Sequence, residues 1–361
     1  MGFVSKKALA MVVCASIMSA AMSFGQARAE ETIDMTVTAG HPPVFLWVQL
    51  LDGFFLPEVD RRLAASGGNV KVNWTKAYGG TLAKIGGELD AIRDGISDVG
   101  FVGTIFHAPQ MPLQNVSYFA PFGSSDVGTV SNIIADLQSE IPEMKAAWTK
   151  NNQVYLGGAA LDTYHLFTNF PVNSLEDLKG KRIMAPGPSA NWINGTGAVA
   201  VASSLPEYYN NIKTGVADGV VTFTTGALPT KLFEVAPYMT EVNFGSQFAG
   251  GLTINKDRFD ALPEDVQQIF MEVGAAFSKE FADAQTAKAA AFLEKMKSAG
   301  LKVSSLSNSD RNTWANTIPN AGKKWADSLD EKGLPGSKVL TGYMKAIKES
   351  GADVPRDWSA E

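Results

Sequence analysis

The chain has 361 residues, 45% of them hydrophobic and 19% charged, with a formal net charge of −6 at neutral pH. That length is enough for two lobes sharing an extensive core. The acidic excess, with no basic cluster to offset it, argues against a nucleic-acid partner.

Residues 1–29 read as a signal peptide. Lys6-Lys7 form a basic start, Ala8 to Met22 is mostly apolar, and Ala27-Arg28-Ala29 fits the small-x-small cleavage rule. The apolar stretch is short for a membrane anchor, and no later segment has about 18 uninterrupted apolar residues. Cys14, the only cysteine, follows Val12 and Val13, where a lipid-anchor signal needs small residues. The expected mature chain starts at Glu30, carries 28 basic against 37 acidic side chains (net −9), and has no thiol. Its stability therefore rests on packing rather than on disulfides. The expected location is the periplasm, and the expected state a monomer.

Thr32 to Thr38 alternates as a strand does. Ala39-Gly40-His41-Pro42-Pro43 then turns into a helix carrying Phe45, Trp47, Leu50, Leu51, Phe54 and Phe55. A second strand covers Val70 to Trp74. The loop Tyr78-Gly79-Gly80 leads to the amphipathic stretch Glu88 to Ile92, which Arg93-Asp94-Gly95 closes before Ile96-Ser97-Asp98 and the apolar run Val99 to Val102. One long polar helix is expected from Asp126 to Asn151, and a strand from Val154 to Gly158. A second lobe begins near Thr163, with a short capped helix over Asn173 to Gly180 and a strand over Arg182 to Ala185. Tyr208 to Ile212 is again amphipathic. Lys213-Thr214-Gly215 closes it, and Val216-Ala217-Asp218-Gly219 enters the run Val220 to Phe223. Gly250 to Asn255 returns to the first lobe. Pro263 opens a long helix at the first helical position, where its missing donor costs nothing. Val266, Ile269, Phe270, Val273, Phe277, Phe281, Ala284, Ala287, Ala291, Phe292 and Met296 follow at helical spacing. At 1.5 Å per residue this helix is about 50 Å long and lies across both lobes. The expected division is 30–162 with 251–285 in lobe I, and 163–250 with 286–361 in lobe II.

The units around Gly95 and Gly215 lie 120 residues apart and share one plan. A basic residue sits in the last helical turn, where the dipole is negative. A glycine takes the left-handed position after the helix, and a strand starts just past the aspartate. One such unit in each half indicates two similar α/β lobes, and clefts between such lobes bind small molecules. Two unrelated helix–strand joints, each ended by glycine, would leave the same trace.

Four segments in order resemble the DctP-type solute receptors of tripartite ATP-independent periplasmic (TRAP) transporters: Gly86 to Asp98, Ser174 to Lys181, Lys213 to Gly219, and Ala261 to Gln267. The resemblance runs through the whole mature chain. It implies an α/β, type II periplasmic binding protein fold, with a ligand cleft between the lobes and a long helix bridging both. It also implies delivery of a small solute to the membrane subunits of a sodium-driven TRAP permease. In that family the strand after Leu-Lys-Gly carries an arginine that pairs with the ligand carboxylate. Here Met184 holds the place and is expected to point into the cleft. A second arginine of sialic-acid-binding relatives falls on Tyr164, and a cleft asparagine of those relatives on Thr222. The bidentate guanidinium clamp is absent from its usual position.

The expected ligand-contacting set is His41, Phe45, Lys84, Thr104, Tyr164, Met184, Thr222 and Phe248. His41 follows the first strand, Thr104 ends the strand after the first repeated unit, and Tyr164 and Phe248 sit at the lobe crossovers. Lys84 would supply a cation to an acidic ligand, or is a solvated surface lysine. Arg182 shares a strand face with Met184 but lies further from the strand's end, towards the rim. The expected ligand is an organic acid with an aromatic or apolar body, held through Lys84 and hydroxyls. The alternative is a small cationic or neutral solute in an aromatic pocket, or a ligand reported to a sensory partner by a binding module. His41, His107 and His165 form no metal pattern. Gly195-Thr196-Gly197-Ala198-Val199-Ala200 matches a dinucleotide fingerprint, but no strand directly precedes it. No G-x-S-x-G elbow or catalytic cysteine is present. Neither an enzyme, a cofactor nor a metal is expected.

Overall fold

Eleven strands lie among the described residues of the computed structural model, which are 31–67 and 70–360. The first five are β1 (Glu31–Ala39), β2 (Val70–Tyr78), β3 (Val99–Gly103), β4 (Gln153–Leu161) and β5 (Tyr164–Thr168). The others are β6 (Arg182–Met184), β7 (Val199–Val201), β8 (Gly219–Phe223), β9 (Tyr238–Glu241), β10 (Gln247–Asn255) and β11 (Lys302–Ser305). The expected signal peptide, residues 1–29, lies outside the described residues. No helix among the described residues is long and apolar enough to cross a membrane.

The strands form two sheets. The first has the order β2-β1-β3-β10-β4 and the second β11-β9-β5-β8-β6-β7. In the first, β1 runs parallel to β2 and β3, while β10 lies antiparallel between β3 and β4. In the second, β6 runs parallel to β7 and β8, and β5 is antiparallel to β8 and β9. The central strands β3, β8 and β10 are buried along their whole length, as their apolar runs require. The chain crosses between the sheets at Asp162–Thr163 and again at 242–246.

The two repeated units match bond for bond. Asp94 and Thr214 donate to Asp90 and Asn210, and Gly95 and Gly215 donate to Ile92 and Ile212. Both glycines are left-handed, with φ of 69° and 74°. Asp98 exchanges backbone and carboxylate bonds with Thr36, and Asp218 does the same with Arg182. Each aspartate therefore ties its strand to the neighbouring parallel strand. These joints are one structural unit used twice.

Several elements differ from expectation. The polar helix is broken in two, Val127–Glu140 and Pro142–Lys150. Pro142 removes a donor and forces Ile141 out of the helical region (φ −114°, ψ 99°). The expected helix over Asn173 to Gly180 is a 3-10 turn, Leu175–Leu178, with a Ser174–Asp177 capping box, not an α-helix. The long helix spans Glu264–Ser298, with Pro263 at its N-cap. Its buried stripe runs unbroken to Phe281 and returns at Met296, but Ala284, Ala287, Ala291 and Phe292 between them are not buried; Gln285 is. The Gly195–Gly197 segment leads from a 3-10 turn into β7, the reverse of a nucleotide-binding strand–turn–helix.

The long helix sits close on β4. A Cβ at Gly157 would collide with the Gly274 carbonyl, and one at Gly274 with that of Leu156. Beyond β11, helices Ala321–Asp330 and Gly336–Glu349, placed with the second lobe from sequence, pack against helices Val116–Phe119 and Val127–Glu140 near the first sheet. Trp358, fully buried, donates from Nε1 to the Pro121 carbonyl at 2.7 Å.

Candidate functional site

The carboxyl ends of β1, β3, β4, β6 and β8 open onto a common space, as open α/β sheets dictate. Residues at or just beyond them line one cavity: His41 after β1, Phe101 and Gly103 of β3, Leu161 of β4, Pro186 after β6 and Phe223 of β8. Tyr164 starts β5 and Ala249 lies in β10. Trp47, Ile105, Phe106, Tyr118, Leu205 and Tyr208 complete the walls. The cavity has a volume of about 50 Å³.

Two ring assemblies shape it. His41 meets Trp47 edge-on at 5.0 Å, and Trp47 stacks on Phe45 at 5.0 Å with planes 4° apart. Opposite, Tyr164 packs against Phe223 at 5.1 Å and edge-on against Trp192 at 5.5 Å. Trp192 donates to the Tyr118 carbonyl, and Trp314 to the Trp192 carbonyl, each at 2.7 Å. Buried indole N–H groups with fixed acceptors hold these rings at set angles. The Tyr118 and Tyr164 hydroxyls lie 3.4 Å apart.

The lining residues include no lysine, arginine, aspartate or glutamate. Burial lowers the His41 pKa to about 4 despite the nearby Glu88, so its imidazole is neutral at neutral pH. Burial raises the Tyr118 hydroxyl to about 12, and Tyr164 well above its ordinary value. Behind the walls are two buried carboxylates. Glu88 accepts from the Gly40 and Gly86 N–H groups at 3.1 and 2.8 Å. Asp162 accepts from Thr224 N–H, the Thr225 hydroxyl and the Gln285 amide at 2.6–2.8 Å, and from Thr225 N–H at 3.3 Å.

Of the eight residues expected to contact ligand, His41 and Tyr164 line the cavity. Phe45 lies one layer behind, stacked on Trp47. Met184 does not point into the cleft as expected. It is fully buried, with its sulfur 3.7 Å from the Asn211 amide on helix Tyr208–Lys213. Thr104 and Thr222 are buried outside the lining, and neither hydroxyl has a partner. The β10–β4 register shifts between Phe248 and Gly250. Phe248 lies over Gly158, and Ala249 reaches the cavity instead. Lys84 is exposed and outside the lining. Arg182 is bound to the Asp218 carboxylate at 2.8 Å and to the Gly215 carbonyl at 2.7 Å. Among the wall residues unrecognised from sequence are two tyrosines, Tyr118 and Tyr208. Tyr208 had a signal: it holds the place in the second repeated unit that Glu88 holds in the first.

Residues 60–328 match the DctP family model, bacterial extracellular solute-binding protein, family 7. A solute-binding protein of Sulfitobacter sp. (strain NAS-14.1) is 27% identical over 208 residues, 56% of this chain. The aligned part spans 61% of that relative's length. A TRAP solute-binding protein from Rhodoferax ferrireducens T118, solved with copurified benzoate, superposes with a TM-score of 0.77 at 17% identity, covering 88% of this chain and 98% of that one. One from Bordetella bronchiseptica, solved with (R)- and (S)-mandelate, gives 0.74 at 24% identity, covering 88% and 99%. At these identities the likeness to the solved structures is one of fold.

Proposed function

Because the chain belongs to family 7 of the bacterial extracellular solute-binding proteins, we propose that it is the extracytoplasmic receptor of a TRAP transporter. It closes on one small organic solute and delivers it to the membrane subunits of a sodium-driven permease. The observation that carries this reading is the aromatic cavity at the shared edge of the two sheets. Residues from both sheets line it, and such two-sided contacts favour closure. The reading includes export by the signal peptide at 1–29, a periplasmic location and a monomeric state. Lobe I is built on the first sheet and lobe II on the second, with hinges at Asp162–Thr163 and 242–246.

The relatives' ligands, benzoate and mandelate, point to an organic acid with an aromatic or apolar body. The ring walls suit such a body. The absence of a cation from the lining favours a second reading, a neutral or cationic solute held among the rings. Native mass spectrometry of the purified protein, followed by denaturation, would identify any co-purified solute. Chemical turnover of a bound solute by the pure protein would overturn the receptor reading.

A further inference from the structure

We infer that the solute of this cleft is uncharged, with a ring and at least one hydroxyl, carbonyl or amide group. The inference rests on the receptor reading above and, within it, selects a neutral solute over the organic acid that the relatives' ligands suggest.

An anion meets three obstacles. No cation lines the cavity. Of the two cations considered from sequence, Lys84 is exposed outside the lining and Arg182 is held by Asp218 and Gly215. Two buried carboxylates also face the walls from behind. Glu88 accepts from the N–H of Gly40, next to His41, and Asp162 from that of Thr224, next to Phe223. A buried anion without a counter-charge, between two like charges, loses hydration that nothing replaces.

A cation finds no free carboxylate either. Glu88 is bound to two backbone N–H groups, with His107 at 3.7 Å. Asp162 is bound by four donors. Only ring faces remain, and these offset part of an ammonium's desolvation.

An uncharged polar group fits what the walls do offer. The Tyr118–Tyr164 pair uses one of its two O–H donors internally and keeps the other, together with acceptor capacity on both oxygens. Ring contacts come from Trp47, Phe101, Phe106 and Phe223.

Benzoate, benzamide and benzamidinium are near-isosteres with charges of −1, 0 and +1, and titrating each into unliganded protein by calorimetry tests the inference. The expected result is benzamide binding at least about tenfold more tightly than either charged probe, because only it leaves no unpaired buried charge. Tyr118→Phe and Tyr164→Phe should each weaken benzamide by roughly three- to tenfold. Tightest binding by benzoate or by benzamidinium overturns the inference. So does binding by none of the three, or benzamide affinity that both tyrosine variants leave unchanged. The receptor reading fails separately, by turnover of a bound solute or if no co-purified or screened solute of any charge alters the small-angle scattering of the protein.

Discussion

Asp162 is buried where the chain leaves the first sheet, and four donors point at its carboxylate. Those bonds favour the ionised form, but desolvation outweighs them and raises its pKa from 3.8 to about 6. Between these values the folded protein keeps a proton that the unfolded chain has released. Its contribution to stability is therefore full below about pH 4 and is lost as pH rises through about 6. His41 and His165 act in the opposite sense. Burial lowers both from 6.5 to about 4, so the unfolded chain takes up protons that the folded one does not. Stability from these two falls as pH drops from about 6.5 to about 4. Urea unfolding of Asp162→Asn should thus show a penalty against wild type that grows on acidification from pH 6 to 4, by on the order of 2 kcal/mol. A penalty independent of pH would mean that Asp162 titrates as an ordinary carboxylate.

At the scale of elements, glycine serves two different purposes. Gly95 ends a helix in the left-handed region with open space around it, so Gly95→Ala should cost about 1 kcal/mol, from backbone strain alone. Gly274 lets the long helix approach β4 so closely that a Cβ would overlap the Leu156 carbonyl. Gly274→Ala must push helix and strand apart, and should cost 3 kcal/mol or more, at the upper end of overpacking penalties. Urea midpoints of the two variants compare these directly; equal costs would show that the contact yields easily. The C-terminal segment is held by its own anchors. Trp358 is buried over Pro121, and Arg356 donates to the Ala315 and Ile318 carbonyls. Trp358→Ala should cost about 3–5 kcal/mol by the same measurement, as a buried large-to-small change.

For the whole molecule, the motion proposed above is closure of the two lobes on the solute. The two crossovers bind each other: Tyr164 N–H donates to the Gly245 carbonyl, and Gly245 N–H to the Thr163 hydroxyl. The long helix joins the same point through Gln285, which bonds both Asp162 and Thr225. Domain rotation about this knot leaves both sheets intact, and hinges of this kind absorb their change in a few loop residues. Small-angle scattering should give a smaller radius of gyration with saturating ligand than without. An unchanged profile would show that the lobes do not close on the solute.

Local pattern carried much of this protein. The two helix–glycine–aspartate units were legible because their positions are set by short-range bonds and by backbone conformations that favour glycine. The long helix was legible from spacing, and the family from four segments in order. Pro142 shows that even local signals compete, since a helical period ran through a residue that breaks the helix. The cavity wall was less legible. Which aromatic ring faces solute and which fills core depends on strand register and on neighbours distant in sequence. The bulge at Phe248 turns Ala249 inward, and Met184 packs beneath Asn211. Tyr118 and Tyr164, 46 residues apart, meet only when the two sheets come together. Sequence alone thus determined the class of molecule, because repeated local chemistry specifies elements and their order. Tertiary structure alone decided the charge of the cleft, because a charge's effect depends on its distance, burial and partners, which the chain acquires only on folding.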